Sequence, residues 1–162
     1  MRIHIATDHA GLELSQFLQD HLRAAGHDVV DHGPAEYDAL DDYPAFCINA
    51  AKAVVRDQQA GVDALGVVFG GSGNGEQIAA NKVVGVRAAL VWNLSTAQLA
   101  RQHNDANVIS IGARQHSTDE AVSFIDAFIA EPFSLEERHA RRIAQLAEFE
   151  ATGTIAGKHV DA

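Results

Sequence analysis

The sequence predicts an α/β fold, a Rossmann-like three-layer sandwich with a five-stranded parallel sheet, helices on both faces and an additional C-terminal helix. Short apolar runs alternate with helix-period patterns from one end of the chain to the other. The third run, residues 64–69 (ALGVVF), has no apolar–polar alternation, which is typical of a strand buried on both faces. With 162 residues, 47% of them hydrophobic, the chain can form one core and one domain.

The elements follow one another in a regular order. Strands are predicted, in chain order, at 2–7, 27–33, 64–69, 86–92 and 107–112. Helices are predicted at 11–26, 41–55, 76–82, 95–104, 118–130 and 134–151. Gly26 ends the first helix, Pro44 suits the first turn of the second, and Ser134 with Glu137 has the spacing of a capping box for the last. The predicted domain covers 1–152, and 153–162 is predicted to be a flexible tail because it lacks periodicity.

In a parallel sheet of this kind, ligands bind at the carboxyl ends of the strands, near the point where the strand order reverses. That rule selects five loops of the predicted fold, at 7–11, 32–43, 70–76, 92–95 and 112–117. The fold itself does not specify a function, so the residues in these loops must indicate it.

The composition excludes several classes of function. The formal net charge is −10, from 12 Lys and Arg against 22 Asp and Glu, which argues against nucleic-acid binding. Cys47, the only cysteine, lies among helical apolar residues and is expected in the core; a single cysteine also suits a reducing compartment. We expect no signal peptide and no membrane span, because neither pattern occurs. The expected location is the cytoplasm.

The glycine-rich segment 70–76 (GGSGNGE) does not match the common nucleotide-binding motifs. Gly70 and Gly75 have the spacing of a P-loop, but Glu76 and Gln77 stand where that motif needs lysine and a hydroxyl. A dinucleotide fingerprint would need a glycine at position 76, and it belongs after the first strand of a fold, whereas this segment follows the third. The chemistry of both motifs is therefore absent from this loop.

A different use of the loop agrees with its carboxylate. Backbone N–H groups of consecutive glycines, together with the start of a helix, can stabilise an oxyanion. A carboxylate next to such a loop could remove a proton from the carbon beside a carbonyl group while the loop receives the negative charge. The alternative is that Glu76 only occupies the first turn of a helix, where acidic residues are favourable.

Other polar residues also have two interpretations. Asp8 and His9 directly follow the first strand and could contact a ligand, although Asp8 alone could cap the next helix. His103 and Asn104 end a helix, where His103 could donate a proton or simply complement the helix dipole. No histidine spacing typical of a metal site occurs, and we expect no metal.

A basic cluster lies in the last helix of this acidic chain. Arg138 and Arg142 are one turn apart, with Arg141 between them, and could bind a phosphate group. Arg114, just after the fifth strand, lies at the predicted edge and supports this interpretation. The alternative is an exposed face on which the arginines pair with glutamates of the same region, namely Glu136, Glu137 and Glu148.

Five segments in order, ATDHAG, DDYPAF, GGSGNGEQIAANK, ARQHN and ERHARRI, closely resemble the B-type ribose-5-phosphate isomerases, over about residues 2–149. The resemblance implies interconversion of ribose 5-phosphate and ribulose 5-phosphate through an enediolate, in the non-oxidative pentose phosphate pathway, without a cofactor. It also implies homodimers, sometimes paired into tetramers, whose active sites are completed across the subunit interface.

The resemblance assigns roles to individual residues. Glu76 resembles the base that moves a proton between carbons 1 and 2, and His103 resembles the acid that opens the sugar ring. The remaining matches are substrate-binding positions, with His139 as a lesser candidate beside them: Asp8, His9, Gly71, Ser72, Gly73, Asn74, Gly75, Asn104, Arg114, Arg138 and Arg142.

One departure from part of the family concerns the base. One branch has a cysteine base at the end of the third strand, where this chain has Gly70, so the chain resembles the other branch, in which a glutamate after the loop acts, as in actinobacterial members. Two alternatives to ribose-5-phosphate isomerisation stay open. One is an isomerase of allose or galactose 6-phosphate, and the other is a non-catalytic nucleotide-binding module.

Overall fold

The structure, a computed structural model, describes residues 1–158 and 160 and contains the predicted five-stranded parallel sheet. Over these residues the strands are β1 (Arg2–Thr7), β2 (Asp28–Asp31), β3 (Ala64–Gly70), β4 (Ala88–Val91) and β5 (Val108–Gly112). The helices are a single 3-10 turn at His9–Gly11, then α1 (Leu12–Ala24), α2 (Tyr43–Gln59), α3 (Asn74–Ala80), α4 (Leu94–Asn104), α5 (Thr118–Ala130) and α6 (Glu137–Thr152).

The strand order is β2-β1-β3-β5-β4, and every neighbouring pair is parallel. The chain passes outward from β1 to β2, and then returns across β1 to begin the other half of the sheet with β3. The order therefore reverses between β1 and β3, and the crevice outside the carboxyl ends of these two strands is the expected place for a ligand.

The two faces of the sheet carry separate cores, as a three-layer sandwich requires. On one face, side chains from α1, α4 and α5 pack against the sheet, including Leu18, Ala97 and Phe128. On the other face, α2 and α3 contribute mainly small residues around Cys47 and Ala80. All seven residues of β3 are buried, which confirms the interpretation of the unbroken apolar run.

Three helix starts differ by two residues or more from the sequence-based expectation, and one of them is α2, which begins at Tyr43 instead of residue 41. The helix α3 begins at Asn74, two residues earlier than predicted, because Gly73 takes the left-handed conformation (φ 79°) and ends the loop there. The predicted capping box at Ser134 and Glu137 is wrong. Leu135 has a positive φ, which turns the chain before the helix, and α6 begins only at Glu137 with no side-chain cap.

The segment that follows α6 is hydrogen-bonded to the helix. The Ala156 N–H donates to Glu148 Oε1 at 2.9 Å, and Gly153 ends the helix with a positive φ. The flexibility expected for 153–162 stays a prediction, and three of these residues, 159, 161 and 162, lie outside the described part of the chain. Within the described part, no helix combines the length and the hydropathy that crossing a bilayer requires.

A partly buried polar network lies between β1 and α2 and extends to His32, at the end of β2. The carboxylate of Asp57 accepts hydrogen bonds from Arg2 (2.9 Å) and Arg56 (3.1 Å) and lies 3.1 Å from His4 Nε2. The other ring nitrogen of His4 lies 2.9 Å from His32 Nε2. Hydrogen bonding to Arg2 lowers the pKa of Asp57 to about 2, and burial lowers the pKa values of both histidines.

This network predicts a loss of stability in acid. Because the pKa of Asp57 falls from 3.8 to about 2 on folding, its contribution is present above pH 4 and disappears as the pH drops toward 2. We expect Asp57→Asn to lower the Tm at pH 7 by roughly 5 °C or more, and the difference from wild type to shrink in acid. Thermal melts at pH 7, 5 and 3 measure this.

Asp28→Asn is the matched control, since Asp28 also binds Arg2 (2.7 Å) but is exposed. Its Tm should stay within about 2 °C of wild type, as is usual for a surface ion pair. Equal changes in Tm for the two substitutions, or a change in Tm for Asp57→Asn that does not depend on pH, would contradict the proposed contribution of the Asp57 carboxylate to stability.

Candidate active site

Two carboxyl groups lie at the crevice between β1 and β3. Asp8 directly follows β1, and Glu76 lies in the first turn of α3, which follows β3. Both are buried, with Asp8 7% and Glu76 4% exposed. Burial raises the pKa of Glu76, and the nearby charge of Asp8 raises it further. Glu76 is therefore more than an exposed acid in a helical first turn, because its environment favours accepting and holding a proton.

The side chain of Glu76 occupies the space beside the backbone of Gly70. A Cβ built on Gly70 would overlap the Glu76 carboxylate, so no larger residue can stand at position 70 while the carboxylate keeps this position. The position of the Glu76 carboxylate thus explains why a glycine stands at the end of β3.

The glycine loop is held against the end of β5. The hydroxyl of Ser110 donates to the Gly73 carbonyl at 2.6 Å, and the N–H groups of Ala113 and Arg114 donate to Gly70 (2.8 Å) and Gly71 (3.2 Å). These bonds fix the loop relative to two strands. The Arg114 side chain lies beside Gly71, since a Cβ there would be 3.7 Å from its guanidinium, and within the loop Asn74 Nδ2 donates to Ser72 Oγ at 3.2 Å.

Asp8 and His9 are held by the local backbone and by the loop that precedes α2. Asp8 accepts from the Ala10 N–H at 2.9 Å and caps the 3-10 turn, as its alternative interpretation stated. His9 Nδ1 lies 2.7 Å from Asp41 Oδ1. Ligand-type atoms of Asp8, His9 and Asp41 all lie within 4.8 Å of one another, so these three residues could hold a cation. Two of these three residues, His9 and Asp41, are already joined to each other by a hydrogen bond.

The structure places three further residues at this edge, none of which was predicted as a site residue. Tyr43 lies against Gly75, where a Cβ would be 2.5 Å from its hydroxyl, and Asp41 contacts His9. Cys47 is buried near the two carboxylates, and burial raises the pKa of its thiol to about 12. The sequence signals for Tyr43 and Asp41 were their place at the predicted binding edge and in DDYPAF, one of the five segments that carry the resemblance.

A second group of predicted residues lies elsewhere in the chain. The helix α4 begins just after the carboxyl end of β4 and runs back along the sheet for 11 residues, about 16 Å, before β5 begins. His103 and Asn104, at its end, therefore lie at the opposite edge of the sheet from Glu76. Among the described residues, no side-chain hydrogen bond or ion pair joins the two groups.

The start of α6 packs beside this second group. The rings of His103 and His139 lie 4.3 Å apart, and the buried His139 is within 2.8 Å of the Ser134 hydroxyl through Nδ1. Burial lowers the pKa of His139, and the neighbouring His103 lowers it further. Arg138 is exposed and pairs with Glu136 at 2.8 Å, as the alternative interpretation of the basic cluster stated, and Arg142 is exposed one turn later.

With these two groups described, the similarity to known proteins can be stated. Residues 3–146 match the family described as Ribose/Galactose Isomerase. The chain belongs to this family. Among its relatives, ribose-5-phosphate isomerase B of Mycolicibacterium paratuberculosis is 55% identical over 152 residues, which cover 94% of this chain and 93% of the relative. The protein of the same name from Mycobacterium tuberculosis strain H37Rv is 54% identical, over 94% and 91%.

Solved structures of family members share the fold. Ribose-5-phosphate isomerase B from Mycoplasma genitalium, solved with bound ribulose-5-phosphate, has a TM-score of 0.86 and 40% identity, and the match covers 93% of this chain and 97% of that one. The Clostridium thermocellum protein has a TM-score of 0.86 and 36% identity, with 95% and 100% covered. The predicted family and fold are thereby confirmed.

The overlap between Gly70 and Glu76 predicts the effect of a single methyl group. Gly70→Ala should displace the carboxylate or strain the loop, and we expect the Tm to fall by roughly 3 °C or more. A crystal structure of the variant should show Glu76 moved from its place beside β3. Gly71→Ala is the matched control, because its Cβ would meet nothing nearer than 3.7 Å.

The control variant should melt within about 2 °C of wild type, since it adds the same methyl group without overlap. A Gly70→Ala variant with unchanged Tm and an unmoved Glu76 would show that the carboxylate does not fill this space.

Proposed function

We propose that this chain interconverts ribose 5-phosphate and ribulose 5-phosphate, with Glu76 as the base that transfers the proton. Its relatives carry the name ribose-5-phosphate isomerase B, and one of them was solved with ribulose-5-phosphate. The observation that carries the assignment of the base is the buried carboxylate of Glu76 in the crevice between β1 and β3, beside the glycine loop. We also propose that the protein acts in the cytoplasm, where charged sugar phosphates are retained by the membrane.

The chemistry requires one group that accepts and returns a proton. In the open-chain aldose, Glu76 removes the proton from carbon 2, and the electrons of that bond form the carbon 1–carbon 2 double bond of an enediolate. The negative charge develops on the oxygen of carbon 1, which the backbone N–H groups of 71–75 receive. Glu76 then returns the proton to carbon 1, and the hydroxyl proton of carbon 2 is transferred to the oxygen of carbon 1, which leaves the carbonyl group of the ketose on carbon 2. The raised pKa of Glu76 makes its carboxylate a stronger base for the first of these transfers.

The remaining roles follow the resemblance and require a second copy of the chain. His103 would open the sugar ring as an acid, and the phosphate-binding set would be Arg114, Arg138 and Arg142, with Asp8, His9 and Asn104 on the sugar. Because α4 ends at the opposite edge of the sheet from Glu76, His103 and Asn104 reach the crevice only if they belong to a partner subunit. We therefore propose a homodimer, alone or paired into a tetramer, with two shared sites.

An apolar cleft supports the place of the second copy. It has a volume of about 590 Å³, lies between α6 and the segment before β4, and reaches Asn104 at one end. Leu146 and Phe149 on its rim are 59% and 44% exposed, although both are large apolar side chains. A partner that covers this cleft would bury them and would meet the residues around Asn104.

The role of Glu76 predicts a separation of catalysis from binding. Glu76→Gln should reduce kcat on ribose 5-phosphate by about 10²- to 10⁴-fold, because the amide cannot accept the proton while the shape is kept. Binding of a phosphorylated sugar acid, measured by calorimetry, should persist. Wild-type turnover should not change with a chelator.

The same assay distinguishes the substrates. Wild-type kinetics on allose and galactose 6-phosphate, beside ribose 5-phosphate, test the six-carbon alternative directly, and faster six-carbon turnover would overturn the proposed substrate. A Glu76→Gln variant with near-wild-type kcat would overturn the proposed base.

Shared sites predict that two inactive variants restore each other. In a mixed dimer of Glu76→Gln and His103→Ala subunits, one site carries both defects and the other carries none. After random exchange of subunits, activity should rise to about a quarter of wild type, since half of the dimers are mixed and each has one intact site. Mixing without exchange of subunits is the control. No recovery in verified mixed dimers would place both residues in one subunit's site.

A further inference from the structure

Asp41 lies in the loop between β2 and α2 and contacts His9 twice through one atom. Its Oδ1 accepts the backbone N–H of His9 at 3.0 Å and lies 2.7 Å from His9 Nδ1. The side chain of Asp41 is only 9% exposed, whereas that of His9 is 25% exposed. The carboxylate therefore forms a buried support behind a histidine that solvent and ligands can reach.

The hydrogen bond determines which ring nitrogen of His9 faces outward. A carboxylate can only accept, so the short contact requires a proton on Nδ1 of His9. Nε2 makes no hydrogen bond within the described residues and is left to meet a ligand. Neutral His9 would accept a hydrogen bond there from a hydroxyl group, and protonated His9 would donate one to a phosphate oxygen.

The second oxygen of Asp41 is unusual. Oδ2 is buried and has no hydrogen-bond partner in the described part of the chain. An unpaired buried carboxylate oxygen is unfavourable for folding, and such groups are retained mainly where another role requires them. Asp42, the next residue, is exposed and forms no side-chain cap on α2, so the two neighbouring acids differ sharply in their surroundings.

We propose that Asp41 is a positioning residue, which fixes the orientation and the proton of the His9 ring so that Nε2 faces the sugar phosphate. The inference rests on the proposed isomerase function, because it assigns a ligand to Nε2. Asp41 does not touch the substrate in this assignment, since within the described part of the chain its side chain forms hydrogen bonds only with His9 and its other oxygen is buried.

Two substitutions of Asp41 separate the effect of its hydrogen bonds from the effect of its charge. In Asp41→Asn, the His9 backbone N–H forces the amide oxygen toward His9, because the amide nitrogen would set two donors against each other. The asparagine therefore keeps both hydrogen bonds and loses only the charge. In Asp41→Ala both hydrogen bonds are lost. Asp42→Asn is the matched control for loss of a negative charge at the same place in the chain.

The experiment measures kcat and KM on ribose 5-phosphate, thermal melts, and the His9 tautomer by ¹⁵N NMR in the full-length protein. Asp41→Ala should lower kcat/KM on the order of 10- to 100-fold, mainly through KM, with no matching loss of Tm. Asp41→Asn should retain kcat/KM within about 3-fold, and Asp42→Asn should resemble wild type. His9 should carry its proton on Nδ1 in wild type and in Asp41→Asn, and lose this preference in Asp41→Ala.

Several results would overturn the inference. Asp41→Ala with kcat/KM within about 3-fold of wild type would do so, as would equal losses in the alanine and asparagine variants. If the alanine variant does not fold, the wild-type spectrum decides, because a proton on Nε2 alone contradicts the proposed hydrogen bond. Failure of the underlying function is distinct, since wild type itself would then not turn over ribose 5-phosphate.

Discussion

The close approach of the Glu76 carboxylate to the backbone of Gly70 is the contact on which the candidate site depends. It requires a glycine at the end of β3, a left-handed Gly73 that allows α3 to start at Asn74, and a loop fixed by β5. Once these are present, the carboxylate lies buried in the crevice where the strand order reverses. Burial, together with the nearby charge of Asp8, then raises the pKa of this carboxylate above its usual range.

The position of α4 separates the proposed site into two halves. A helix that follows a parallel strand must run back to the opposite edge of the sheet, so residues at its two ends cannot meet in one chain. His103 and Asn104 are at the wrong end for Glu76, and the basic start of α6 accompanies them. Because of this topology, the proposed active site requires residues from a second subunit.

Much of the fold could be predicted, because alternating apolar runs and helical periods are local properties of the chain. The strands β1, β3 and β5 and the helix at Thr118–Ala130 agree closely with their patterns, whereas β2 and β4 are each three residues shorter than predicted. The starts of α3 and α6 did not agree, since they depend on positive φ angles at Gly73 and Leu135 that tertiary contacts impose. Capping residues at the right spacing do not form a box when the chain turns between them.

The candidate site, like the fold, could be predicted only where local sequence patterns determine it. Glu76, Asp8 and the glycine loop were predictable because all follow buried strands at one edge. Asp41 and Tyr43 were not, since their role comes from contacts across 32 residues in sequence, between Asp41 and His9 and between Tyr43 and Gly75. The separation of His103 from Glu76 was also invisible in the motifs, which record order along the chain and not distance.

The glycine at position 70 also bears on oxidative damage. A thiolate base is open to stepwise oxidation to sulfenic and sulfinic acids, whereas a carboxylate has no comparable reaction. The one cysteine of this chain, Cys47, is buried, and its pKa of about 12 keeps it as the unreactive thiol. Under the proposed role of Glu76, the catalytic base is a carboxylate, which peroxide does not readily oxidise.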